Sequence, residues 1–444
     1  MEESVEKEIM RCVRCGACME KCPVYRVTRR EGGVARGKLA LVKARDDGRL
    51  EWSKRYDFFL SACLLCGSCT ESCPNAVDTV SVVQAARAKT ARARKGGWFK
   101  RQVLRRFLPS KKLLPRLLKG ARATRALWAA KVPADSGLHI RLLKGPGGQR
   151  HRIPPIVRPF FTDRDLPRAH EGQGTRVALF SGCVTDYLRP QAGDSALRAL
   201  DHLGASVVVP PGQGCCGLPA WGSGEIEAAA KLARRNIDAF LPVNEPWPEV
   251  ITTPCASCAA MLRNHIAPLV AGDEDYEARA RAFSERVVPF SRLWCRLSGA
   301  DRDPAAGSSD GVLLTYHDPC HLAKELEERE APRRLLGSLA AARFIEMKRA
   351  DDCCGHGGSF SVSHYDLSLD IVGPKVAAVI ESGAEILVTE CSGCVLQLSE
   401  AMARKRKGFE VITTAEAVDR YLLADRAPGA KGGKYAQDGA QGKE

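Results

Sequence analysis

Short apolar runs rich in β-branched residues alternate with helix-length stretches through the second half of the chain. The runs that predict strands are RVALF at 176–180, EVITTP at 249–254, GVLLTY at 311–316 and AEILVTE at 384–390. The stretches that predict helices include 193–203, 224–241 and 365–382. Strands that alternate with helices indicate parallel sheets with crossover helices. Ligands of such sheets bind at the carboxyl ends of the strands, and a cysteine follows each of these runs.

Composition divides the 444-residue chain into five segments. A cysteine-rich head (1–95) precedes a basic connector punctuated by Pro and Gly (96–172), and a body follows in two parts (173–300 and 301–424). The polar, Gly-rich tail (425–444) is expected to be disordered. Because 45% of the residues are hydrophobic, a chain of this length buries more than one core, and we expect two or three domains.

The body is a duplication, which its cysteines show most clearly. The first part contains Cys183, Cys215, Cys216, Cys255 and Cys258, and the second contains Cys320, Cys353, Cys354, Cys391 and Cys394. Corresponding cysteines are 136 to 138 residues apart. Each part, named here the first half and the second half, is therefore expected to be one structural unit with its cysteines at the carboxyl edge of a parallel sheet.

Nineteen cysteines are far more than a chain of this length ordinarily contains. Whether they form disulfides or bind metal depends on whether the protein resides in an oxidising or a reducing compartment. The N-terminal residues MEESVEKEIM lack the charged-then-apolar pattern of a signal peptide, and no run of about 18 apolar residues occurs. We therefore expect a cytoplasmic protein. Thiols stay reduced there, and clustered cysteines indicate metal or redox sites rather than disulfides.

Two runs in the head follow the pattern CxxCxxCxxxCP, namely CVRCGACMEKCP at 12–23 and CLLCGSCTESCP at 63–74. A 4Fe-4S cluster needs four thiolates, and in two-cluster ferredoxins the cysteine before Pro binds the other cluster. One cluster is accordingly assigned to Cys12, Cys15, Cys18 and Cys73, and the second to Cys63, Cys66, Cys69 and Cys22. Gly16 and Gly67 are expected to relieve backbone crowding in these loops. Zinc knuckles also use CxxC, but usually with a wider gap between two cysteine pairs.

Several further motifs carry a resemblance to a known family. They are RGKLAL at 36–41, GQGCCG at 212–217, YHDPCH at 316–321 and CCGHGGSFS at 353–361. With the ferredoxin-type head, and in this order, they resemble the CCG-domain iron-sulfur proteins over nearly the whole chain. That family includes iron-sulfur subunits of glycolate oxidase, lactate oxidation and anaerobic glycerol-3-phosphate dehydrogenase, and subunits of heterodisulfide reductase. Local details look closest to the glycolate- and lactate-linked members.

The resemblance implies metal sites in the body. Heterodisulfide reductases use CCG cysteines to hold non-cubane 4Fe-4S clusters with five thiolate positions each, and both halves here contain the full set. The ten body cysteines are therefore candidate ligands of one or two further clusters, and disulfide chemistry stays open. The alternative is one cubane cluster or zinc per half with a spare cysteine, because thiolate count alone does not determine the metal. Cys295, in an apolar context, is expected to pack as a small hydrophobe.

Three histidines lie near the second set of body cysteines: His317 and His321 flank Cys320, and His356 follows the second CCG. Histidine can hydrogen-bond to cluster sulfur or replace a thiolate as a terminal ligand. The more ordinary interpretation, which we favour at this point, is that these side chains cap turns near the edge of the sheet.

The positive charge of the chain is concentrated in the connector region. Residues 79–162 contain 21 Lys and Arg but one acid, Asp135, although the whole chain has a net charge of +15. Apolar residues recur on one helical side as Phe99, Val103 and Phe107, followed by Leu113, Leu114, Leu117 and Leu118 around Pro115. Such a segment either attaches to an anionic membrane surface or packs its apolar face on the chain's own domains. Without a stacking platform or a recognised motif, nucleic-acid binding is not expected.

The fold class expected is α/β with helical parts: a helical two-cluster ferredoxin head, a basic helical connector and two tandem α/β CCG domains with short parallel sheets. No GxGxxG motif opens a strand-to-helix turn, so substrate oxidation is expected in an FAD-dependent partner acting on glycolate or lactate. The chain is then an electron-transfer subunit without a substrate site of its own, passing electrons toward quinone or another acceptor. The alternatives are a heterodisulfide-reductase-like catalytic subunit and a zinc-stabilised assembly protein.

Overall fold

The computed structural model describes most of the chain. The described residues are 3–93, 98–110, 112–131, 139–141, 152–170, 173–243, 246–300, 311–405 and 408–423. The predicted tail at 425–444 lies outside the described residues, as do residues 301–310 at the predicted boundary between the two halves.

The head is helical, as predicted. Its helices are Glu3–Met10, Ala17–Lys21, Pro23–Thr28, Ala35–Asp46, Lys54–Ser61, Ser68–Glu71 and Thr79–Ala93, with a 3-10 turn at Glu31–Gly33. Leu39, Leu60 and Val82 are buried between the longer helices. The two short helices that start within the cysteine motifs, at Ala17 and Ser68, contact each other and bring the two motifs together.

In its described residues the connector is α-helical in its first part and has a 3-10 turn at Phe161–Asp163. Its helices are Trp98–Gln102, Leu113–Ala123 and Arg125–Trp128, with a π-helical turn at Val103–Phe107. Pro115 does not interrupt this segment, because it lies in the first turn of its helix, where a missing N–H removes no internal hydrogen bond. A small antiparallel sheet follows, formed by β1 (Ala129–Lys131), β2 (His139–Arg141) and β3 (Arg152–Ile153). The sequence did not predict this sheet, because strands of two or three residues are too short to show alternation.

The first half contains a four-stranded parallel sheet in the order β5-β4-β6-β7. The strands are β4 (Arg176–Leu179), β5 (Ser206–Val208), β6 (Val250–Thr253) and β7 (Val287–Pro289). The helices are Gly182–Tyr187, Pro190–His202, Leu218–Trp221, Ile226–Phe240, Ala256–Ala260, Ile266–Leu269, Glu277–Arg286 and Phe290–Ser298, with a π-helical turn at Met261–His265. Every residue of β6 is buried, as expected for a strand covered on both faces.

The second half repeats this topology with the order β9-β8-β10-β11. The strands are β8 (Val312–His317), β9 (Ala342–Phe344), β10 (Ile386–Thr389) and β11 (Glu410–Thr413). The helices are Glu330–Gly337, Ser359–Ser363, Tyr365–Glu381, Ser392–Lys405 and Thr414–Val418, with π-helical turns at His321–Glu325 and Asp419–Leu423. The four predicted strands and three predicted helices are thus confirmed, and in both halves the first strand lies between the second and the third.

The two halves pack together through two large core clusters, each of which contains residues of both. Residues from the second half, among them Leu322 and Val372, lie in the same buried cluster as Phe180 and Ile251 of the first. Arg189 Nη2 donates to Glu416 Oε1 across the halves at 2.8 Å. This packing turns the cysteine-bearing edges of the two sheets toward each other.

The head docks on the second half through polar contacts. Arg26 Nη1 lies 3.0 Å from both carboxylate oxygens of Asp352. Lys324 Nζ donates to Ser68 Oγ at 2.6 Å, between the second cysteine motif and the π-helical turn after Cys320. These contacts place the second cysteine motif of the head directly against the cysteines of the body.

Candidate metal centres

The two CxxCxxC loops of the head have the same backbone conformation. Gly16 and Gly67 both have left-handed φ values, of 91° and 71°. Two residues earlier, Arg14 and Leu65 are also left-handed, with φ of 59° and 54°. Glycine reaches this region without the strain that a Cβ introduces, which explains its position in both motifs. The repeated conformation turns each loop around a small cavity.

The head cysteines line two separate cavities. One is lined by Cys12, Cys15, Cys18, Cys69 and Cys73, and the other by Cys22, Cys63, Cys66 and Cys69. Each cavity thus receives the cysteine before Pro from the other motif, which is the grouping that the sequence predicted. Cys69 borders both cavities, so its assignment to the second cluster stays a prediction.

The RGKLAL motif supplies positive charge to these cavities, a role that sequence reasoning missed. Burial raises the pKa of both Cys18 and Cys22. The Lys38 ammonium, which is 2% exposed, partly opposes this rise at Cys22, and Arg36 does the same at Cys18. Buried lysine is rare unless it serves an anionic partner, so these cations fit a site that carries negative charge when loaded.

The body cysteines lie where the strands of each half end. Cys183 follows β4, and Cys255 follows β6 just before the helix Ala256–Ala260. In the second half Cys320 follows β8, and Cys391 follows β10 just before its helix. The carboxyl-edge position predicted from the strand pattern is therefore confirmed.

The glycine of each CCG motif allows the paired cysteines to face the site. Gly217 and Gly355 are left-handed, with φ of 101° and 81°. A Cβ at Gly355 would also lie 2.8 Å from the backbone oxygen of Ser368. The sequence identified the two CCG motifs, but only the backbone shows why the third residue is glycine.

All ten body cysteines line one cavity of about 160 Å³ between the halves. Within it, Sγ of Cys354 and Sγ of Cys394 are 3.2 Å apart. Contact with the Cys215 thiol, together with burial, raises the pKa of Cys183 well above its ordinary value. A bound cation would displace the proton that this shift holds on the Cys183 thiol. This dense set of sulfur donors fits iron-sulfur clusters, because thiolates are the ligands that such clusters use.

The two halves meet at their CxxC motifs. The thiols of Cys255 and Cys391 contact each other across the interface. The Ser257 hydroxyl lies 3.3 Å from Cys255 Sγ and 3.5 Å from Cys391 Sγ. The backbone N–H of Ala256 donates to Glu390 O at 2.6 Å and joins the same two segments. The two sets of body cysteines are therefore in direct contact.

The head meets the second half in a similar way. The thiol of Cys66 contacts that of Cys353, and this contact together with burial raises the pKa of Cys66 well above its ordinary value. Burial disfavours the charged form of Lys324, but nearby Cys66 and the carboxylate of Glu71 outweigh it and raise the pKa of the lysine. A lysine cation thus lies between the second cysteine motif of the head and the second half.

The three histidines differ in their surroundings. His321 Nδ1 lies 3.7 Å from Cys320 Sγ, and His356 Nδ1 lies 3.5 Å from Ser361 Oγ. His317 is buried, and neither of its ring nitrogens has a hydrogen-bond partner among the described residues. The prediction that His317 caps a turn is therefore wrong, because a cap requires such a bond.

Cys295 lies away from every one of these cavities. It is fully buried in the second large core cluster, and its Sγ donates to Ala331 O at 3.4 Å. The prediction that it packs as a small hydrophobe is confirmed.

None of the helices in the described part of the chain combines the length and the apolarity that crossing a bilayer requires.

Comparison with known proteins agrees with this arrangement. The cysteine-rich CCG domain matches residues 177–263 and 314–399, and the 4Fe-4S dicluster domain matches residues 8–77. The chain is 30% identical over 418 residues to the "Probable glycolate oxidase iron-sulfur subunit" of Bacillus subtilis, covering 91% of each protein. It is also 30% identical over 244 residues to "Lactate utilization protein A" of Bacillus subtilis, covering 55% of this chain and 99% of that one.

A hypothetical protein from Helicobacter pylori, known from a crystal structure, is similar at a TM-score of 0.47 and 10% identity, with 97% of this chain and 74% of that chain covered.

Proposed function

We propose a function from the family of this chain, which belongs to the CCG-domain iron-sulfur family that includes the glycolate oxidase iron-sulfur subunit. The chain is the electron-transfer subunit of a glycolate-oxidase-like complex. Its head and body hold iron-sulfur clusters, which supply one-electron chemistry. The finer proposal is that an FAD-dependent dehydrogenase acting on a 2-hydroxy acid such as glycolate or lactate donates the electrons. The names of the two Bacillus relatives support that substrate class.

One observation carries this proposal: the cysteine sets form an unbroken succession. The two head cavities share Cys69, Cys66 of the second contacts Cys353, and the body cysteines meet across the halves. Clusters held by these cysteines would give electrons a route from the first head site to the second, then to the second half and finally to the first half. A succession without gaps is what an electron conduit requires, whereas an assembly protein has no need of it.

The ligand sets proposed are those of the sequence prediction. The eight head cysteines hold two 4Fe-4S clusters, and the ten body cysteines hold one or two more. Lys38 and Lys324 lie close enough to the cysteines to stabilise the additional negative charge of a reduced cluster.

The connector supports contact with a membrane surface, where a quinone acceptor would be reached. Its first part packs on the first half, because Leu104 is buried and Arg235 Nη1 donates to Pro109 O at 3.3 Å. The helix Leu113–Ala123 buries none of its side chains among the described residues, and Leu113 and Leu117 are 41% and 42% exposed. An exposed basic helix with apolar residues is suited to an anionic lipid surface.

The decisive experiment begins with anaerobic purification and quantification of iron and acid-labile sulfide. We expect more than the roughly eight irons of two ferredoxin clusters. A reduced glycolate- or lactate-oxidising flavoprotein should then bleach the cluster absorbance, and a Cys15→Ala variant should slow this step. A protein that contains zinc without sulfide, or that takes no electrons from either flavoprotein, would contradict the proposal.

A second candidate function is disulfide reduction, favoured by the shared cavity. Because both sets of body cysteines line the same space, a disulfide placed there would reach both halves at once. The test is to add a disulfide to the reduced, iron-loaded protein and follow its EPR spectrum. A signal from the body clusters that changes, together with release of thiol, would support this function, and an unchanged signal would exclude it.

A further inference from the structure

The two halves differ at one position that faces the metal site. Three residues before the first cysteine of each half, the first half has Phe180 and the second has His317. Phe180 packs among other aromatic residues, with its ring 5.7 Å from that of Phe240. His317 is equally buried, at 1% exposure, but it places two polar nitrogens in the interior. The duplication therefore contains an apolar side chain in one copy and a potential ligand in the other.

The backbone brings His317 to the centre of the second site. It is the last residue of β8 and pairs in register with Thr389 of β10, two residues before Cys391. The next residue, Asp318, donates its N–H to Ala350 O at 2.9 Å and thereby fixes the segment that leads to the CCG motif. The imidazole lies where these two cysteine-bearing segments converge.

The ligand atoms in this place are close together. One ring nitrogen of His317 and the Sγ atoms of Cys354 and Cys394 all lie within 4.8 Å of one another. Neither nitrogen of His317 forms a hydrogen bond of ordinary geometry among the described residues, although buried polar groups are normally paired, and the Cys354 thiol is the side chain that interacts with its ring. A buried nitrogen placed beside two thiols in this way is explained by a metal that binds all three.

We propose that His317 is a nitrogen ligand of the cluster in the second half, together with Cys354 and Cys394, and that the first half binds its metal through thiolates alone. This inference rests on the proposed function insofar as the second half must carry iron. A neutral imidazole adds less negative charge than a thiolate, as in Rieske centres, where His in place of Cys raises the reduction potential. The second half, which contacts the head, is then the more easily reduced of the two.

The other two histidines of the second half serve as controls. His321 Nε2 lies 3.9 Å from Glu325 Oε2, and His356 has Ser361 near its Nδ1. Both line the cavity, but each has a polar partner in the protein. Replacing either with Gln should leave nitrogen ligation by His317 intact.

The test is pulsed EPR of anaerobically purified protein containing isotopically labelled histidine. We expect a strong hyperfine coupling from one directly bound imidazole nitrogen, identified by its change on labelling. His317→Phe, which copies the residue of the first half, should abolish this coupling, whereas His321→Gln and His356→Gln should retain it. His317→Cys should keep the iron, lose the coupling and lower the midpoint potential of that cluster.

Each other result overturns the inference in a recognisable way. An iron-loaded second half that gives only the weak coupling of an N–H group hydrogen-bonded to sulfur would overturn histidine ligation but leave electron transfer intact. A strong coupling that persists in His317→Phe would assign the ligand to another histidine. A second half without iron would overturn the inference, whereas the proposed function would be overturned only if the protein also took no electrons from the flavoprotein. The labelled wild-type protein gives its answer even where a variant does not fold.

Discussion

At the scale of single residues, we expect charge to affect the reduction potentials of the candidate metal centres and backbone conformation to affect how they retain iron. Lys324 is the clearest case, because its ammonium lies between Cys66 of the head and Cys320 of the second half. A positive charge in this position stabilises the reduced form of any cluster on either side. Its ion pair with Glu71, at 3.5 Å, and its bond to Ser68 hold it there.

Lys324→Met should lower the reduction potential of the neighbouring clusters. Removing a unit charge about 10 Å from a cluster, in a partly screened environment, changes the free energy of reducing that cluster by about 1 kcal/mol. For one electron this is roughly 45 mV. The measurement is an EPR-monitored redox titration. Lys231→Met, which removes an exposed lysine of the first half, should leave these potentials unchanged. Equal potentials in Lys324→Met and the wild type would show that the lysine has no electrostatic role.

Gly355→Ala should release iron from the second half. The left-handed φ of 81° strains any other residue, and the new Cβ would lie 2.8 Å from Ser368 O, so the CCG loop has to move. Gly383→Ala is the matched control, because its φ of 73° is also left-handed but nothing lies within 4 Å of the added Cβ. The control should lose about 1 kcal/mol of stability and keep its iron. Iron analysis and thermal unfolding distinguish the two, and similar iron loss in both would refute the steric argument.

At the scale of elements, short strands carry the cysteines and a helix of the connector offers a surface. Because β4, β6, β8 and β10 are parallel, the segments after them converge at one edge in each half. The helix Leu113–Ala123 is different, since Leu113 and Leu117 are exposed whereas Leu114 and Leu118 are partly buried. Packing on the chain therefore leaves part of its apolar side open.

Leu117→Glu should weaken binding to vesicles that contain anionic lipid. The change removes an exposed apolar contact and adds a negative charge, which together should cost about 2 kcal/mol, or roughly thirtyfold in partitioning. Vesicle co-sedimentation at low salt measures this. Val243→Glu makes the same charge change at an 80% exposed residue of the first half and should have little effect. If the wild type does not bind such vesicles, the helix does not serve as a membrane-contact surface.

At the scale of the whole molecule, the head has to stay docked for the succession of cysteines to remain continuous. The Arg26–Asp352 ion pair contributes to this contact, and Arg349 also donates to the same carboxylate at 2.5 Å. Burial raises the pKa of Asp352, but the hydrogen bonds from Arg349 and Arg26 outweigh it and hold the pKa below its ordinary value. The ionised Asp352 carboxylate therefore contributes fully to the stability of the folded protein above its unfolded-state pKa of about 3.9. This contribution is lost as the pH falls through the lower pKa that Asp352 has in the folded state.

Asp352→Asn should destabilise the docked protein by about 1 kcal/mol at pH near 7, a modest figure because both partners are partly exposed. Urea unfolding measures the change, and the difference from the wild type should shrink as the pH falls below about 4. The double variant Arg26→Met/Asp352→Asn should be less destabilised than the sum of the two single variants. Strict additivity would mean that the pair is not coupled and does not hold the head.

The sequence alone determined the broad architecture and the grouping of the cysteines. Strands and helices of the body were recognisable because their patterns are local, and the duplication was visible because cysteine spacings survive divergence. The motif CxxCxxCxxxCP predicted that the cysteine before Pro lines the cavity of the other motif, whereas Cys69 borders both cavities and its assignment stays a prediction. The small sheet β1–β3 was missed, because its strands are too short to have a pattern.

Only the tertiary structure decided how the sites relate to one another. The contacts between Cys66 and Cys353, and between Cys255 and Cys391, join residues more than 100 positions apart, and no local pattern encodes such distances. The same is true of Lys324 beside Ser68 of the head, and the position of His317 beside Cys354 and Cys394 likewise depends on how the strands pair. The sequence does not distinguish a histidine that caps a turn from one that binds a metal. The two roles are distinguished by burial and hydrogen bonding, which only the folded chain shows.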